Sequence, residues 1–191
     1  MKNIIIFGPP GAGKGTMSEK IIEEFDLRHI STGAIIRKNQ EEGTKLGKFA
    51  DQVDVNKGNL LPDNVVNEMI KQEIIDDTDS VGFIYDGFPR TVGQAKMLDE
   101  FLHKRNAPIN AVIYLDLEKH TASDRIIERG KTSNRADDTK EAFPTRWAAY
   151  QKETLPIISY FDGRSKVFKI DAGQGIEEVY SDIQDVLKEI K

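Results

Sequence analysis

The sequence contains no cysteine, which excludes a disulfide framework and any zinc site built on cysteine ligands. It also lacks long apolar runs. The N-terminal stretch from Ile4 to Phe7 is too short for a signal-peptide core or a membrane span. The formal net charge of −5 disfavours a nucleic-acid-binding protein, because such proteins usually carry a basic surface. We therefore expect a cytoplasmic protein that binds neither membrane nor nucleic acid.

What is present is a globular composition, with 38% hydrophobic and 31% charged residues over 191 positions. That length suits one domain with a sizeable core, with room for small inserted lobes. Short runs of β-branched or aromatic residues are typical of strands buried on both faces. These runs are Ile4 to Phe7, Gly82 to Tyr85, Ala111 to Leu115 and Val167 to Ile170, with a fifth, short strand predicted at Arg28 to Ser31.

Helical patterns separate the predicted strands. Apolar residues recur every three or four positions from Met17 to Phe25 and from Ile176 to Ile190. The same spacing follows Asp63, which we expect to be the N-cap of another helix. Strands alternating with helices predict an α/β fold: a three-layer structure with a parallel five-stranded sheet and helices on both faces. Residues 31–62 and 130–138 do not fit this layering, and are either ordinary surface loops or mobile functional segments.

The first strand leads directly into a glycine-rich segment, Gly8 to Thr16. Its pattern of glycine, four residues, then glycine and lysine is that of a phosphate-binding loop, placed as required between a strand and a helix. Glycines let backbone N–H groups turn inward onto a phosphate, and Lys14 adds a positive charge. The usual hydroxyl directly after the lysine is replaced by Gly15. This leaves open whether Thr16 contacts Mg²⁺ or a phosphate oxygen.

A carboxylate and several arginines complete the candidate chemistry. Asp86 follows a buried strand, at the edge where α/β folds bind ligands, and is placed to orient Mg²⁺ through water. Phosphoryl transfer mainly requires positioning and positive charge on the moving group. The chain offers that charge at Arg37, Arg90, Arg125, Arg129, Arg135 and Arg146.

In order and spacing these motifs resemble the adenylate kinases, a family of nucleoside monophosphate kinases with a P-loop NTPase fold. The resemblance spans nearly the whole chain. It rests on the loop Gly8 to Thr16, Ile30 to Gly33 with Arg37, Asp86 to Thr91 with Gln94, Asp124 to Arg129, and Arg135 to Asp138 with Arg146.

The resemblance implies a role for each matched residue. The ATP-binding residues are implied to be Gly11, Ala12, Gly13, Lys14, Gly15, Thr16, Arg125, Arg129, Gly173 and Gln174. The AMP-binding residues are implied to be Thr32, Arg37, Asn59, Leu60, Leu61, Gly87, Phe88, Arg90, Gln94, Arg135 and Arg146. The catalytic residues are implied to be Lys14, Asp86, Arg90, Arg129, Arg135 and Arg146. Mg²⁺ is implied to bind through phosphates and water, near Thr16 and Asp86.

The resemblance also implies an organisation. Residues 31–62 become the AMP-binding lobe and 130–138 a short lid without zinc, while 1–30, 63–129 and 139–191 form the core. Asp137 and Asp138 are implied to help close the lid. The expected reaction is direct in-line transfer of the γ-phosphoryl of MgATP to AMP by a monomer, with lobe closure excluding water. We assign no chemistry to His29, His103 and His120, and a structural role to Trp147.

Two residues depart from the family pattern. Ala34 stands where the family usually has aspartate, which puts turnover or metal dependence in question. Asn134 replaces a frequent glycine, which is expected to stiffen the lid hinge. Two alternatives therefore stay open: a UMP/CMP kinase, or an ATP- and AMP-binding regulator with weakened catalysis. Thr32 and Gln94 favour AMP over UMP or CMP. A GTPase lacks support because no Asn-Lys-x-Asp motif is present.

Overall fold

A computed structural model describes residues 2–57, 59–133, 135, 137–164 and 167–190. It contains the predicted five-stranded parallel sheet, in the order β2-β3-β1-β4-β5. The strands are β1 (Lys2–Phe7), β2 (Arg28–Ser31), β3 (Gly82–Asp86), β4 (Ile109–Asp116) and β5 (Val167–Asp171). The described helices are α1 (Lys14–Phe25), α2 (Thr32–Glu41), α3 (Lys45–Gln52), α4 (Asp63–Asp76), α5 (Val92–Lys104), α6 (Lys119–Gly130), α7 (Ala142–Ala149), α8 (Ile157–Phe161) and α9 (Ile176–Glu189).

The sheet is covered on both faces, which explains the apolar runs in its central strands β1, β3 and β4. In β1, Ile4 and Ile6 enter one hydrophobic core while Ile5 and Phe7 enter the other, and all four are at most 2% exposed. Helices α1, α6, α7 and α9 contribute to the first core, and α3, α4, α5 and α8 to the second. The predicted three-layer α/β fold is therefore confirmed.

The two stretches outside this layering contain no strand among their described residues after Ser31. Residues 31–62 hold α2, α3 and a 3-10 turn, Val55–Lys57. Residues 131–138 follow the end of α6 at Gly130, and Asn134 lies outside the described residues. The division into core, lobe and lid at these boundaries stays a prediction. No helix within the described ranges is both long and apolar enough to cross a membrane.

One helix begins differently from the prediction. Pro62, not Asp63, occupies the N-cap of α4, and Asp63 is the first helical residue. The carboxylate of Asp63 is turned away from its own backbone, because it accepts hydrogen bonds from Thr91 and Gln94 at the start of α5. A local capping rule could not foresee partners about thirty residues away.

Candidate active site

A cleft of about 620 Å³ opens at the carboxyl edge of the sheet. The strand order places β1 at the centre, next to β3 and β4, and ligands in open α/β sheets bind in the crevice beyond such strand ends. Most residues of the predicted site line this cleft. They are Gly11, Gly13, Lys14, Gly15, Thr16, Arg37, Asn59, Asp86, Gly87, Arg90, Arg129, Arg135, Asp137 and Arg146.

The other predicted residues lie beside or behind the cleft. Thr32 and Gln94 are only 4% and 2% exposed, and each is hydrogen-bonded to the turn that follows β3. Arg125 donates to the carbonyl of Ala172, which brings it to the Gly173 loop. The predicted residues that do not line the cleft are Ala12, Thr32, Leu60, Leu61, Phe88, Gln94, Arg125, Asp138, Gly173 and Gln174.

The phosphate-binding loop depends on two glycines with left-handed backbone conformations. Gly11 has a φ of 85°, and a Cβ there would lie 2.6 Å from the carbonyl oxygen of Ala122 on α6. Gly13 has a φ of 84° and is the N-cap of α1. Side chains at either position would strain the turn. The loop can therefore direct its N–H groups and the N-terminus of α1 toward an anion.

Lys14 begins α1 and folds back over this loop. Its Nζ donates hydrogen bonds of 2.9 Å to the carbonyls of both Gly8 and Pro9. Burial lowers the pKa of Lys14 to about 7, although the negative charge of Asp86 acts in the opposite direction. The positive charges of Arg90 and Arg146 lower it further. The side chain is therefore held where an anionic ligand would restore its charge.

Asp86 ends β3 in register with Ile6 of β1 and Ser31 of β2. Burial opposes its ionisation, but the neighbouring His29 and the positive charges of Lys14 and Arg90 outweigh burial and hold the pKa of Asp86 below its ordinary value. Nε2 of His29 lies 3.6 Å from Oδ2 of Asp86. Residue patterns do not predict His29 beside the site, because its position depends on the pairing of β2 with β3.

The turn after β3 fixes Arg90. Its Nε donates to the carbonyl of Gly87 at 2.9 Å, and its backbone N–H donates to Oε1 of Gln94 at 2.7 Å. Its own carbonyl accepts a 2.9 Å hydrogen bond from Oγ1 of Thr154, in a π-helical turn, Tyr150–Thr154, that continues α7. Three contacts from different parts of the fold therefore hold this arginine against the cleft.

Asp138 joins two arginines from different helices. Its side chain is fully buried and accepts two 2.6 Å hydrogen bonds from Arg129 and one of 3.1 Å from Arg146. Ser133 donates a fourth hydrogen bond, of 3.0 Å. Burial opposes the negative charge, but these hydrogen bonds hold the pKa of Asp138 below its ordinary value. The carboxylate thus sets where both guanidinium groups lie.

The cleft concentrates positive charge. Burial lowers the pKa of Arg90, and repulsion from Arg146 and Arg37 adds to the effect. Burial also lowers the pKa of Arg135, with repulsion from Arg129 and Arg37 adding to it. Like charges held together in a partly buried site are costly unless an anion enters. The geometry therefore suits ligands that carry several phosphate groups.

One face of α2 forms a wall of the cleft that the sequence reasoning missed. Gly33, Ile36, Gln40 and Glu41 line the cleft together with Arg37. Their spacing of three and four residues is the signal that could have identified them, since such residues share a helix face. Ala34 is exposed and does not line the cleft; its N–H donates to Oγ of Ser31, the N-cap of α2.

Residues 6–166 match the family model described as adenylate kinase. An adenylate kinase of Parabacteroides distasonis is 38% identical over 191 residues, covering 100% of both chains. One of Flavobacterium johnsoniae is 40% identical over 188 residues, 98% of each chain. One of Caldanaerobacter subterraneus subsp. tengcongensis is 37% identical over 211 residues, covering 96% of this chain and 95% of that protein.

Proposed function

Because the chain belongs to the adenylate kinase family, we propose that it catalyses the reversible transfer of the γ-phosphoryl group of MgATP to AMP, giving two ADP. The observation that carries the proposal is the convergence of four arginines, from a β-strand turn and three other segments, on the mouth of the phosphate-binding loop. These are Arg90, Arg129, Arg135 and Arg146. No contact among the described residues favours a UMP/CMP kinase or an ATP- and AMP-binding regulator with weakened catalysis.

On the donor side, the loop from Gly11 to Thr16 holds the ATP phosphates, with Lys14 as the point charge. Phosphates are better partners for the charged amine of Lys14 than the carbonyls of Gly8 and Pro9, which it also contacts. Arg125, Gly173 and Gln174 border the ATP base, which their position beside the carbonyl of Ala172 supports.

On the acceptor side, Arg37 and Arg90, which both line the cleft, hold the AMP phosphate. The base lies toward Thr32 and Gln94 and the backbone of residues 59–61. Residues 31–62 act as the lobe that closes over AMP, and residues 130–138 as the lid over ATP, helped by Asp137 and Asp138. Closure excludes water, which would otherwise accept the phosphoryl group.

Transfer is direct and in line: an oxygen of the AMP phosphate attacks the γ-phosphorus, and the β–γ bridging oxygen leaves with ADP. The protein supplies no nucleophile. Its work is to align the two nucleotides and to place positive charge around the equatorial oxygens of the moving group. Arg129 and Arg146 are suited to this because hydrogen bonds to Asp138 fix both guanidinium groups.

The metal that the family uses fits this site. Asp86 keeps a negative charge, and its Oδ2 lies 3.9 Å from where a Cβ on Gly15 would be, so the carboxylate faces the phosphate-binding loop. Thr16 is exposed on the same loop. Asp86 through water and the Thr16 hydroxyl would hold Mg²⁺ on the ATP phosphates. Bound there, Mg²⁺ supplies positive charge to the phosphate oxygens. A cytoplasmic location and a monomeric state stay predictions.

Acceptor selectivity tests the proposal. With MgATP as donor, we expect kcat/KM for AMP to be about 10²-fold or more higher than for UMP, CMP or GMP. A wrong base would leave buried polar groups of the site without hydrogen-bond partners, which discriminates strongly against it. Initial rates with the four acceptors at equal concentrations, each with a blank without acceptor, give the order. A preference for UMP or CMP would assign the chain to the alternative kinase.

The depressed pKa of Lys14 predicts that ATP affinity depends on pH. The phosphates bind the charged amine, so above pH 7 the free protein must take up a proton to bind ATP. We expect the Kd for ATP to rise by up to about tenfold per pH unit above pH 7. Titration calorimetry between pH 6 and 9 measures this.

The matched variant is Lys14→Arg, which stays charged throughout that range and should therefore show a flatter dependence. Calorimetric titrations of the wild type and of Lys14→Arg in buffers of different ionisation enthalpy measure the number of protons taken up when ATP binds. Equal pH dependence in the two proteins would show that the titration of Lys14 does not govern ATP binding.

A further inference from the structure

The carboxylate of Asp63 links two helices near the cleft. Oδ1 accepts a 2.9 Å hydrogen bond from Nε2 of Gln94, and Oδ2 accepts a 2.7 Å hydrogen bond from Oγ1 of Thr91. Thr91 is the N-cap of α5, and its hydroxyl also accepts from the N–H of Gln94. The start of α4, directly after the 31–62 segment, is therefore tied to the start of α5.

These contacts leave the amide of Gln94 only one orientation. A carboxylate can only accept, so the NH₂ end of Gln94 must face Asp63. The backbone N–H of Arg90 can only donate, so Oε1 of Gln94 must face Arg90, at 2.7 Å. Gln94 is 2% exposed, which prevents water from replacing either partner easily.

The backbone of Arg90 depends on this amide. Its N–H donates to a side chain and not to a helix or strand, and its carbonyl accepts from Oγ1 of Thr154. Its guanidinium reaches the carbonyl of Gly87 and lines the cleft. The chain of contacts from Asp63 through Gln94 thus ends on a cationic side chain of the candidate active site.

We propose that Asp63 is a positioning residue for the acceptor side of the cleft, acting on Arg90 through the fixed amide of Gln94. The inference rests on the proposed function in assigning the AMP phosphate to Arg90. Without the carboxylate, the Gln94 amide can rotate, and the N–H of Arg90 loses its acceptor. The guanidinium then holds the AMP phosphate less well, while the ATP phosphates on the P-loop are unaffected.

The test compares Asp63→Ala and Asp63→Asn with Glu68→Ala, which removes an exposed carboxylate of the same helix bonded to Lys71. For Asp63→Ala we expect the KM for AMP to rise about tenfold, as for one lost buried hydrogen-bond partner, with the KM for ATP within about twofold. Asp63→Asn still accepts one of the two hydrogen bonds, so we expect a rise of about threefold. Glu68→Ala should match the wild type.

A second measurement is independent of turnover. Hydrogen exchange at the backbone N–H of Arg90, followed by NMR without nucleotides, should be at least about tenfold faster in Asp63→Ala than in the wild type. Should the alanine variant fail to fold, Asp63→Asn carries both measurements, with smaller effects of the same sign. Unchanged exchange at Arg90, or KM values for ATP and AMP that rise in parallel, would overturn the proposal.

The two hypotheses can fail separately. A wild-type protein that does not phosphorylate AMP would overturn the proposed function, and the role of Asp63 in it, even where exchange at Arg90 responds to the substitution. An active wild type whose KM for AMP is insensitive to Asp63→Ala would overturn the positioning role alone.

Discussion

Replacing Arg90 with alanine is expected to lower kcat/KM for AMP by about 10³-fold or more, the scale seen for arginines that stabilise a transferring phosphoryl group. The side chain lines the cleft, and its Nε is already fixed on the carbonyl of Gly87. Alanine removes the guanidinium without a substitute nearby on the turn. Steady-state kinetics with AMP varied at saturating MgATP measure the loss.

Arg90→Lys and Arg105→Ala make the comparison specific. Lysine keeps the positive charge but lacks the planar set of N–H donors of a guanidinium. We therefore expect the Arg90→Lys protein to have less than about a tenth of the wild-type kcat/KM. Arg105 is exposed at the C-cap of α5, and its removal should change activity less than about twofold. An Arg90→Ala protein within tenfold of the wild type would remove Arg90 from the catalytic machinery.

The second large effect is expected from Arg129→Ala. We expect kcat to fall about 10³-fold, because this guanidinium lies where charge develops on the moving phosphoryl. The substitution also takes two of the hydrogen bonds from the buried carboxylate of Asp138. We therefore expect a loss of about 1–3 kcal/mol in the free energy of unfolding, measured by urea denaturation.

A double-mutant cycle separates the two contributions. If Asp138 acts on catalysis partly by orienting Arg129, then Asp138→Ala should reduce kcat by a smaller factor in Arg129→Ala than in the wild-type background, the remaining effect acting through Arg146. Lys131→Ala is the matched control, since the side chain of Lys131 is exposed and bonded only to Glu128 among the described residues. Full additivity of the two kcat effects would show that the carboxylate and Arg129 act independently.

Much of the fold could be predicted from the sequence, because the central strands β1, β3 and β4 are buried on both faces and therefore carry apolar runs. The predictions missed strand ends: β4 runs from Ile109 to Asp116, beyond the apolar run from Ala111 to Leu115. Polar residues such as Asn110 and Asp116 extend the strand because backbone pairing does not require an apolar side chain.

Residue patterns alone predict less of the candidate site than of the fold. The phosphate-binding loop and Asp86 follow from local spacing, whereas the meeting of Arg37, Arg90 and Arg129 depends on how distant segments pack. The family resemblance supplied that grouping. Side-chain links such as Asp63 to Gln94 join residues 31 positions apart, and nothing in local periodicity marks them. The π-helical turn that carries Thr154 also breaks the regular helical spacing on which sequence prediction relies.

ADP formation from MgATP and AMP, with each nucleotide alone as a blank, tests the central claim most directly. We predict ADP only when both nucleotides are present, with two ADP formed for each AMP consumed. This result would also show that Ala34, which departs from the pattern that the family resemblance implies, is compatible with catalysis. Binding of both nucleotides without ADP formation would contradict the account and favour a nucleotide-binding regulator.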